Sequence, residues 1–342
     1  MIKENQSLQA YNTFGIDVCA RYFAQPNSID ALKACLRQAQ AQGLPVLILG
    51  GGSNFLFASD VEGWVVQPLL KGIELVWQTD GRIGLGVGAG EVWDDLVAHC
   101  VAQGWGGMEN LSLIPGRVGA APVQNIGAYG AEAKDVITAV EGLYLDSLEP
   151  FFLPAADCAF GYRDSIFKRT LKDKVVITKV FFELSTRPET KTDYGRMAEM
   201  LAQQADTSIA SVRAAVMAIR REKLPDPEVL GNAGSFFKNP SLPTDQALAI
   251  QALYPKMPIY DSDIAGCSKI PAAFLIEQCG WKGYQRGLVG VHAQQPLVLV
   301  ARKGANGVEI ACLYREIQAS VKQKFDLSLE CEVNHFQGFP IS

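Results

Sequence analysis

The 342-residue chain is poor in the residues that build the commonest reactive centres. It has 3 histidines, His99, His292 and His335, well separated in sequence. That argues against a histidine-built metal site and against a Ser–His relay. The 8 cysteines (Cys19, Cys35, Cys100, Cys158, Cys267, Cys279, Cys312 and Cys331) form no CxxC pair. In a chain this long, scattered cysteines read as buried, reduced thiols rather than a disulfide frame or a zinc site. Positive charge is not in excess: 31 Lys and Arg stand against 36 Asp and Glu, for a net charge of −5. Nucleic-acid binding by phosphate neutralisation is therefore not expected. No apolar run reaches transmembrane length, the opening residues lack the apolar core of a leader, and neither heptads nor low-complexity tracts occur. The expectation is a cytoplasmic protein with no metal, nucleic-acid or membrane partner, and too long for a single core.

Local patterns supply the elements. Residues 28–42 place Ile29, Leu32, Cys35 and Leu36 on one helical face, with Ser28 as N-cap and Gly43 as terminator. An apolar strand runs from Pro45 into a glycine loop. Strand patterns follow between Trp64 and Gly90, at 137–145 and at 175–184. Helices are expected at 91–103 and 208–223. The segment "LPDPEVLGN", with two prolines and a glycine, is the clearest boundary. Beyond it lie expected helices at 270–279 and 306–324, strands at 287–292 and 296–302, and a closing strand "LSLECEVN". In that strand Leu327, Leu329, Cys331 and Val333 would face one way and Ser328, Glu330, Glu332 and Asn334 the other.

Two glycine-rich stretches carry the first hint of chemistry. Gly50-Gly51-Gly52-Ser53-Asn54 follows a strand, so its backbone N–H groups suit either an anion-binding nest or a plain turn. It is neither a P-loop, which needs Gly-Lys-Ser/Thr, nor a dinucleotide fingerprint, whose third glycine would fall at Phe55. "IPGRVGAAPVQNIGAYG" spreads Gly116, Gly119, Gly127 and Gly130 among alanines, which suits a backbone lying close to something flat. Together the stretches suggest a flavin dinucleotide held outside the Rossmann class.

"NTFGID", "ILGGGSNFL", "NLSLIPGRVGAAPVQNIGAYG", "FGYRDSIFK", "KLPDPEVLGNAGSFFKNP" and "LECEV" occur in the order found in the UDP-N-acetylenolpyruvoylglucosamine reductases, and the chain resembles that family along its whole length. The resemblance implies an α+β protein of three domains: an FAD-binding scaffold of the vanillyl-alcohol-oxidase type made of two α/β subdomains (1–70 with 327–342, and 71–222), and a smaller α+β substrate-binding domain (223–326). It implies FAD as cofactor and NADPH as reductant, with NADPH and the enolpyruvyl sugar nucleotide taking turns in one site, and a monomer. FAD would lie against Gly50, Gly51, Gly52, Ser53, Asn54, Pro115, Gly116, Gly119, Ala120, Val123, Gly127 and Ile177. Tyr129, Tyr194, Lys223, Asn239, Tyr260, Lys282 and Gln295 would contact the substrate, Tyr194 from a loop carried by one form of the family.

The resemblance also implies three catalytic roles. Arg163 would grip the substrate carboxylate, Glu332 would meet the same carboxylate in protonated form, and Ser235 would give a proton to carbon. On its own, Ser235 among glycines is a local backbone hydrogen-bonder, Arg163 a surface charge, and Glu332 the solvated face of a strand. Glu330 is read as structural. Arg117, where a small residue is usual, would project toward solvent or the FAD phosphates, and Arg220 and Arg221 end a helix where cations are favoured in any case.

Overall fold

The computed structural model describes residues 2–193, 195–204 and 206–339, and these fall into two compact units: Met1–Gln6, Ala20–Gly51 and Val61–Glu222 form one, and Ser7–Cys19, Gly52–Asp60 and Lys223–Ser342 the other.

The first unit contains two sheets. Strands Ile2–Ser7, Cys19–Ala24, Val61–Val66 and Val46–Ile48 lie in that order, and Val61–Val66 is parallel to both Cys19–Ala24 and Val46–Ile48. A parallel pair needs a crossover, and helix Ile29–Ala41 supplies it. Ser28 caps the helix by accepting the Ala31 N–H at 3.2 Å, and Leu32, Leu36 and Ala39 pack with Trp64 and Val66. Ile29, expected on that face, is 39% exposed and takes no part in that cluster.

The second sheet is antiparallel, with strand order Pro150–Pro154, Ile137–Tyr144, Val175–Ser185, Arg82–Gly88, Ile73–Thr79. Ile83, Leu85 and Val87 alternate inward toward Trp93, Leu96 and Val97 of helix Trp93–Ala102, giving the largest apolar cluster of this unit. Helices Arg196–Gln204 and Ile209–Lys223 bury Met197, Leu201, Val212, Val216 and Ile219 together.

The second unit is built on the antiparallel sheet Gly231–Ser235, Val298–Ala301, Val289–Val291, Gln285–Arg286. The 19-residue helix Gly307–Phe325 carries a capping box between Asn306 and Glu309. Strand Asn334–Phe336 runs parallel to Phe55–Phe57.

Two helices escape the sequence pattern, Arg196–Gln204 and Thr244–Leu253. The latter buries only Ala247 and Ile250 while Leu248 and Leu253 stay exposed, so its periodicity is faint. The expected closing strand is also corrected. Leu327, Leu329 and Val333 are buried and Ser328 and Glu330 exposed as the alternation requires, but pairing is confined to one bridge at Cys331 and to the short strand from Asn334. Glu330 reaches back to Lys238 in an ion pair of 2.5 Å.

Candidate active site

In the first unit the two glycine stretches meet each other. A Cβ on Gly51 would stand 2.8 Å from the Gly116 Cα, and one on Gly50 would stand 3.2 Å from the Ala120 side chain. Part of the demand for small residues is therefore loop against loop, since neither backbone could keep its position with a side chain between them. The Pro115–Ala120 loop is tied to the helix before it: Trp93 N–H donates to the Gly116 carbonyl at 3.0 Å, and Gly119 N–H to that of Ala89 at 2.9 Å. Arg117 lies half-buried. It donates to the Gly90 carbonyl at 2.7 Å, while its Nε is buried with no hydrogen-bond partner among the described residues. Burial pulls its pKa down and the charge of Glu91 pulls it back up. Val123 accepts from the Ser165 hydroxyl at 2.6 Å through its carbonyl, and Ile177 is buried within the apolar cluster of this unit.

Arg163 stands at the tip of a tight turn closed by reciprocal backbone hydrogen bonds between Gly161 and Asp164. Its φ of 52° is a conformation non-glycine residues adopt rarely and keep where the surroundings enforce it. The enforcement is visible: Asn125 donates to the Gly161 carbonyl at 3.0 Å, and Arg163 itself donates to the Gly127 carbonyl at 2.6 Å. The "FGYRDS" and "NIGAYG" motifs are thus one hydrogen-bonded assembly. Tyr129, also at positive φ (50°), packs against the cluster of the two helices Arg196–Gln204 and Ile209–Lys223.

In the second unit strand Gly231–Ser235 carries a register shift between Asn232 and Ser235, with Gly234 at φ 70° and its N–H held by the Asn232 side chain at 3.0 Å. A bulge of this kind re-aims the side chain that follows it, here Ser235. Beyond it the chain runs alongside the closing segment: Glu332 N–H donates to the Phe236 carbonyl at 2.8 Å, and Lys238 N–H to that of Glu330 at 2.9 Å. Glu332 is therefore registered opposite Phe236, one residue past Ser235, although nearly a hundred residues separate the two segments in sequence.

Asn54 clasps the same segment. Its amide donates to the Glu332 carbonyl at 3.2 Å, and its own carbonyl accepts the Asn334 N–H at 3.0 Å. Gly52 and Ser53 precede it, with Gly52 taking the Thr13 N–H on its carbonyl at 3.2 Å. The "NTFGID" loop is folded by Asn12, whose side chain bonds the Leu8 and Ile16 carbonyls and the Ile16 N–H. Thr13 in turn accepts the Asn232 N–H at 3.0 Å.

The remaining substrate candidates are spread through this unit. Asn239 spends its carbonyl on the Ala272 N–H at the start of helix Ala272–Gln278, 3.0 Å away. Gln295 lies in the turn before Val298, Lys282 pairs with Glu277 at 2.9 Å, and Tyr260 (48% exposed) and Lys223 lie at the surface. Tyr194 lies outside the described residues.

One network had no motif to announce it. Asp94 receives two hydrogen bonds from Arg213, at 2.7 and 3.0 Å, and the Leu113 N–H, while Arg220 donates to the Leu113 carbonyl at 3.2 Å. Burial would raise the pKa of Asp94, but these donors and the two guanidinium charges outweigh it and hold the carboxyl below its usual range. The network fixes Leu113, at φ 59°, just ahead of the Pro115–Ala120 loop. Arg220 is thereby tied to that loop, while Arg221 is exposed. The sequence signal was only an acid in the first turn of one helix and arginines on another.

Residues 20–146 match the family model described as "FAD binding domain", and residues 226–336 that described as "UDP-N-acetylenolpyruvoylglucosamine reductase, C-terminal domain". A UDP-N-acetylenolpyruvoylglucosamine reductase of Bacteroides fragilis is 46% identical over 97% of this chain and 99% of its own, and one of Chromobacterium violaceum 47% identical over 95% and 96%. The solved structure of UDP-N-acetylenolpyruvylglucosamine reductase from Thermus caldophilus superposes with a TM-score of 0.67 at 23% identity, covering 98% of this chain and 100% of its own. The scaffold is an FAD-binding one of the vanillyl-alcohol-oxidase type, of mixed α/β structure. The chain belongs to the UDP-N-acetylenolpyruvoylglucosamine reductase family.

Proposed function

We propose that this protein reduces UDP-N-acetylenolpyruvoylglucosamine to UDP-N-acetylmuramate, with FAD as carrier and NADPH as reductant, in the cytoplasmic synthesis of peptidoglycan precursors. In a chain of this family, the observation that carries the reading is that the closing segment pairs with the residues directly after Ser235 and the Gly234 bulge, with Glu332 opposite Phe236. The reading takes three functional parts, residues 1–70 with 327–342 and residues 71–222 for FAD and residues 223–326 for the sugar nucleotide, working as a monomer.

The residues fit an FAD. Gly50, Gly51, Gly52, Ser53 and Asn54 offer backbone N–H groups to the diphosphate. Pro115, Gly116, Gly119, Ala120, Val123, Gly127 and Ile177 line the ring, and the unsatisfied Arg117 Nε beside Gly116 is a donor that an anionic group would answer. The chemistry FAD supplies when bound is hydride storage, taken from NADPH and passed to the terminal carbon of the enol ether.

Arg163 grips the substrate carboxylate as charge moves onto it. Glu332, protonated, shares that carboxylate. Ser235 gives its hydroxyl proton to the adjacent carbon. A serine hydroxyl is a weak acid, but the carbon it meets is a strong base, so placement decides the rate. Tyr129, Tyr194, Lys223, Asn239, Tyr260, Lys282 and Gln295 hold the sugar nucleotide, the lysines at its anionic groups, and NADPH uses the same site in its turn.

The test is anaerobic mixing. NADPH should bleach the flavin absorbance, and the enolpyruvyl sugar nucleotide should restore it. Restoration by oxygen alone would point to an oxidase and contradict the proposal.

A further inference from the structure

A pocket of about 200 Å³ lies in the second unit between helix Gly307–Phe325 and the paired strands Phe55–Phe57 and Asn334–Phe336, among residues with no role in the proposed chemistry. Its apolar walls are Ala58, Val308 and Ala311, and its polar ones Arg315, His335 and Gln337. Val308, Ala311 and Arg315 are spaced to share one face of the helix.

The polar wall is rich in donors and short of acceptors. Among the described residues Arg315 makes no ion pair or hydrogen bond; its guanidinium carbon lies 5.6 Å from the centroid of the neighbouring Tyr314 ring, and its charge acts on His335 and Cys331. His335 Nδ1 has the Tyr314 hydroxyl at 2.9 Å and the Gln337 amide nitrogen at 2.8 Å. The Tyr314 hydroxyl can donate to Nδ1 or accept from it, and the Gln337 amide nitrogen, which also stands 3.2 Å from Nε2, keeps at least one N–H for another acceptor in either tautomer. If Nδ1 accepts, the ring proton sits on Nε2, which becomes another donor. Among the described residues no lining residue is a carboxylate, and Arg315 is the one with a permanent charge. The Arg315 guanidinium, the Gln337 amide and, in one tautomer, His335 Nε2 are donors that an acceptor with several oxygens would satisfy together.

We propose that this pocket binds a small oxyanion of the phosphate type, with Arg315 as its principal ligand and His335 and Gln337 completing the ring of donors. The inference is independent of the proposed reaction. Burial and the Arg315 charge both depress the His335 pKa. A bound anion offsets the second cause, so phosphate should raise the His335 titration midpoint, and binding should strengthen as the pH falls. The other groups at the ring are the Tyr314 hydroxyl on the helix and the Gln337 amide just past the end of strand Asn334–Phe336.

Proton NMR on the FAD-loaded protein reads this directly. The chain has 3 histidines, so the His335 ring signal is assigned by comparison with His335→Gln. Inorganic phosphate, titrated at fixed pH and ionic strength with chloride as control, should shift the His335 signal saturably and raise its midpoint. Arg315→Gln should weaken the response about tenfold or more, the size of a lost charge-assisted hydrogen bond. Arg315→Lys should retain part of it. Arg315 is exposed, so its substitution leaves the core intact. An unmoved His335 signal, an equal response to chloride, or an unchanged response in Arg315→Gln would each overturn the proposal.

Discussion

Gly51 is a residue of the glycine loops whose size the structure plainly constrains. A methyl group there would stand 2.8 Å from backbone, which cannot turn away as a side-chain tip can, so the loops must part. Gly51→Ala should lower stability by about 1–3 kcal/mol, an ordinary cost of overpacking, and should weaken FAD retention; thermal unfolding and the flavin content of purified protein check both. Cysteine reactivity is set at the same scale. Burial pushes the thiol of Cys100 up to about 12 and those of Cys158 and Cys331 up to about 11, whereas Cys312 is exposed. A maleimide at pH 8 should modify Cys312 first and leave Cys100, Cys158 and Cys331 unmodified until the protein unfolds, which peptide mass mapping with time would show.

Among the elements, the Asp94–Arg213 pair joins two helices to the loop ahead of Gly116. Both side chains are largely shielded from water, so removing one partner leaves the other uncompensated. Asp94→Asn should cost about 2 kcal/mol at neutral pH, within the range for hydrogen bonds to charged groups. The sign of its pH dependence follows from the lowered pKa. The pair's contribution is complete above the unfolded carboxylate value of about 4 and is lost as the pH falls through the lower folded value. Denaturant unfolding should accordingly show wild type and Asp94→Asn converging in acid. This network also marks where sequence reading stops. Helices such as Ile29–Ala41 and Gly307–Phe325 were legible because cap and periodicity agree, and the closing segment was misread as a strand because alternating burial does not require a pairing partner. Asp94 and Arg213 look like ordinary helix charges in one dimension; only the fold gives them to each other.

At the scale of the whole molecule, motifs within each unit brace one another. "NTFGID" holds both Gly52 and Asn232, Asn54 holds the carbonyl of Glu332, and "FGYRDS" is bonded to "NIGAYG". That is why family membership was readable from short blocks, while the reason for each residue was not: Asn54, expected only at the cofactor, also clasps the chain at Glu332. Since FAD would bind the folded state alone, excess FAD at a hundred times its Kd should add about 2.7 kcal/mol to stability, so stripping the flavin should lower the melting temperature and restoring it should reverse the loss.

The central claim is that the hydroxyl after the Gly234 bulge gives a proton to carbon. Stopped-flow measurement of the two half-reactions in Ser235→Ala tests it most directly. The account predicts flavin reduction by NADPH at the wild-type rate, and reoxidation by the enolpyruvyl sugar nucleotide slowed by about 10²–10⁴-fold, the range for a lost general acid. Reoxidation at an undiminished rate would contradict it.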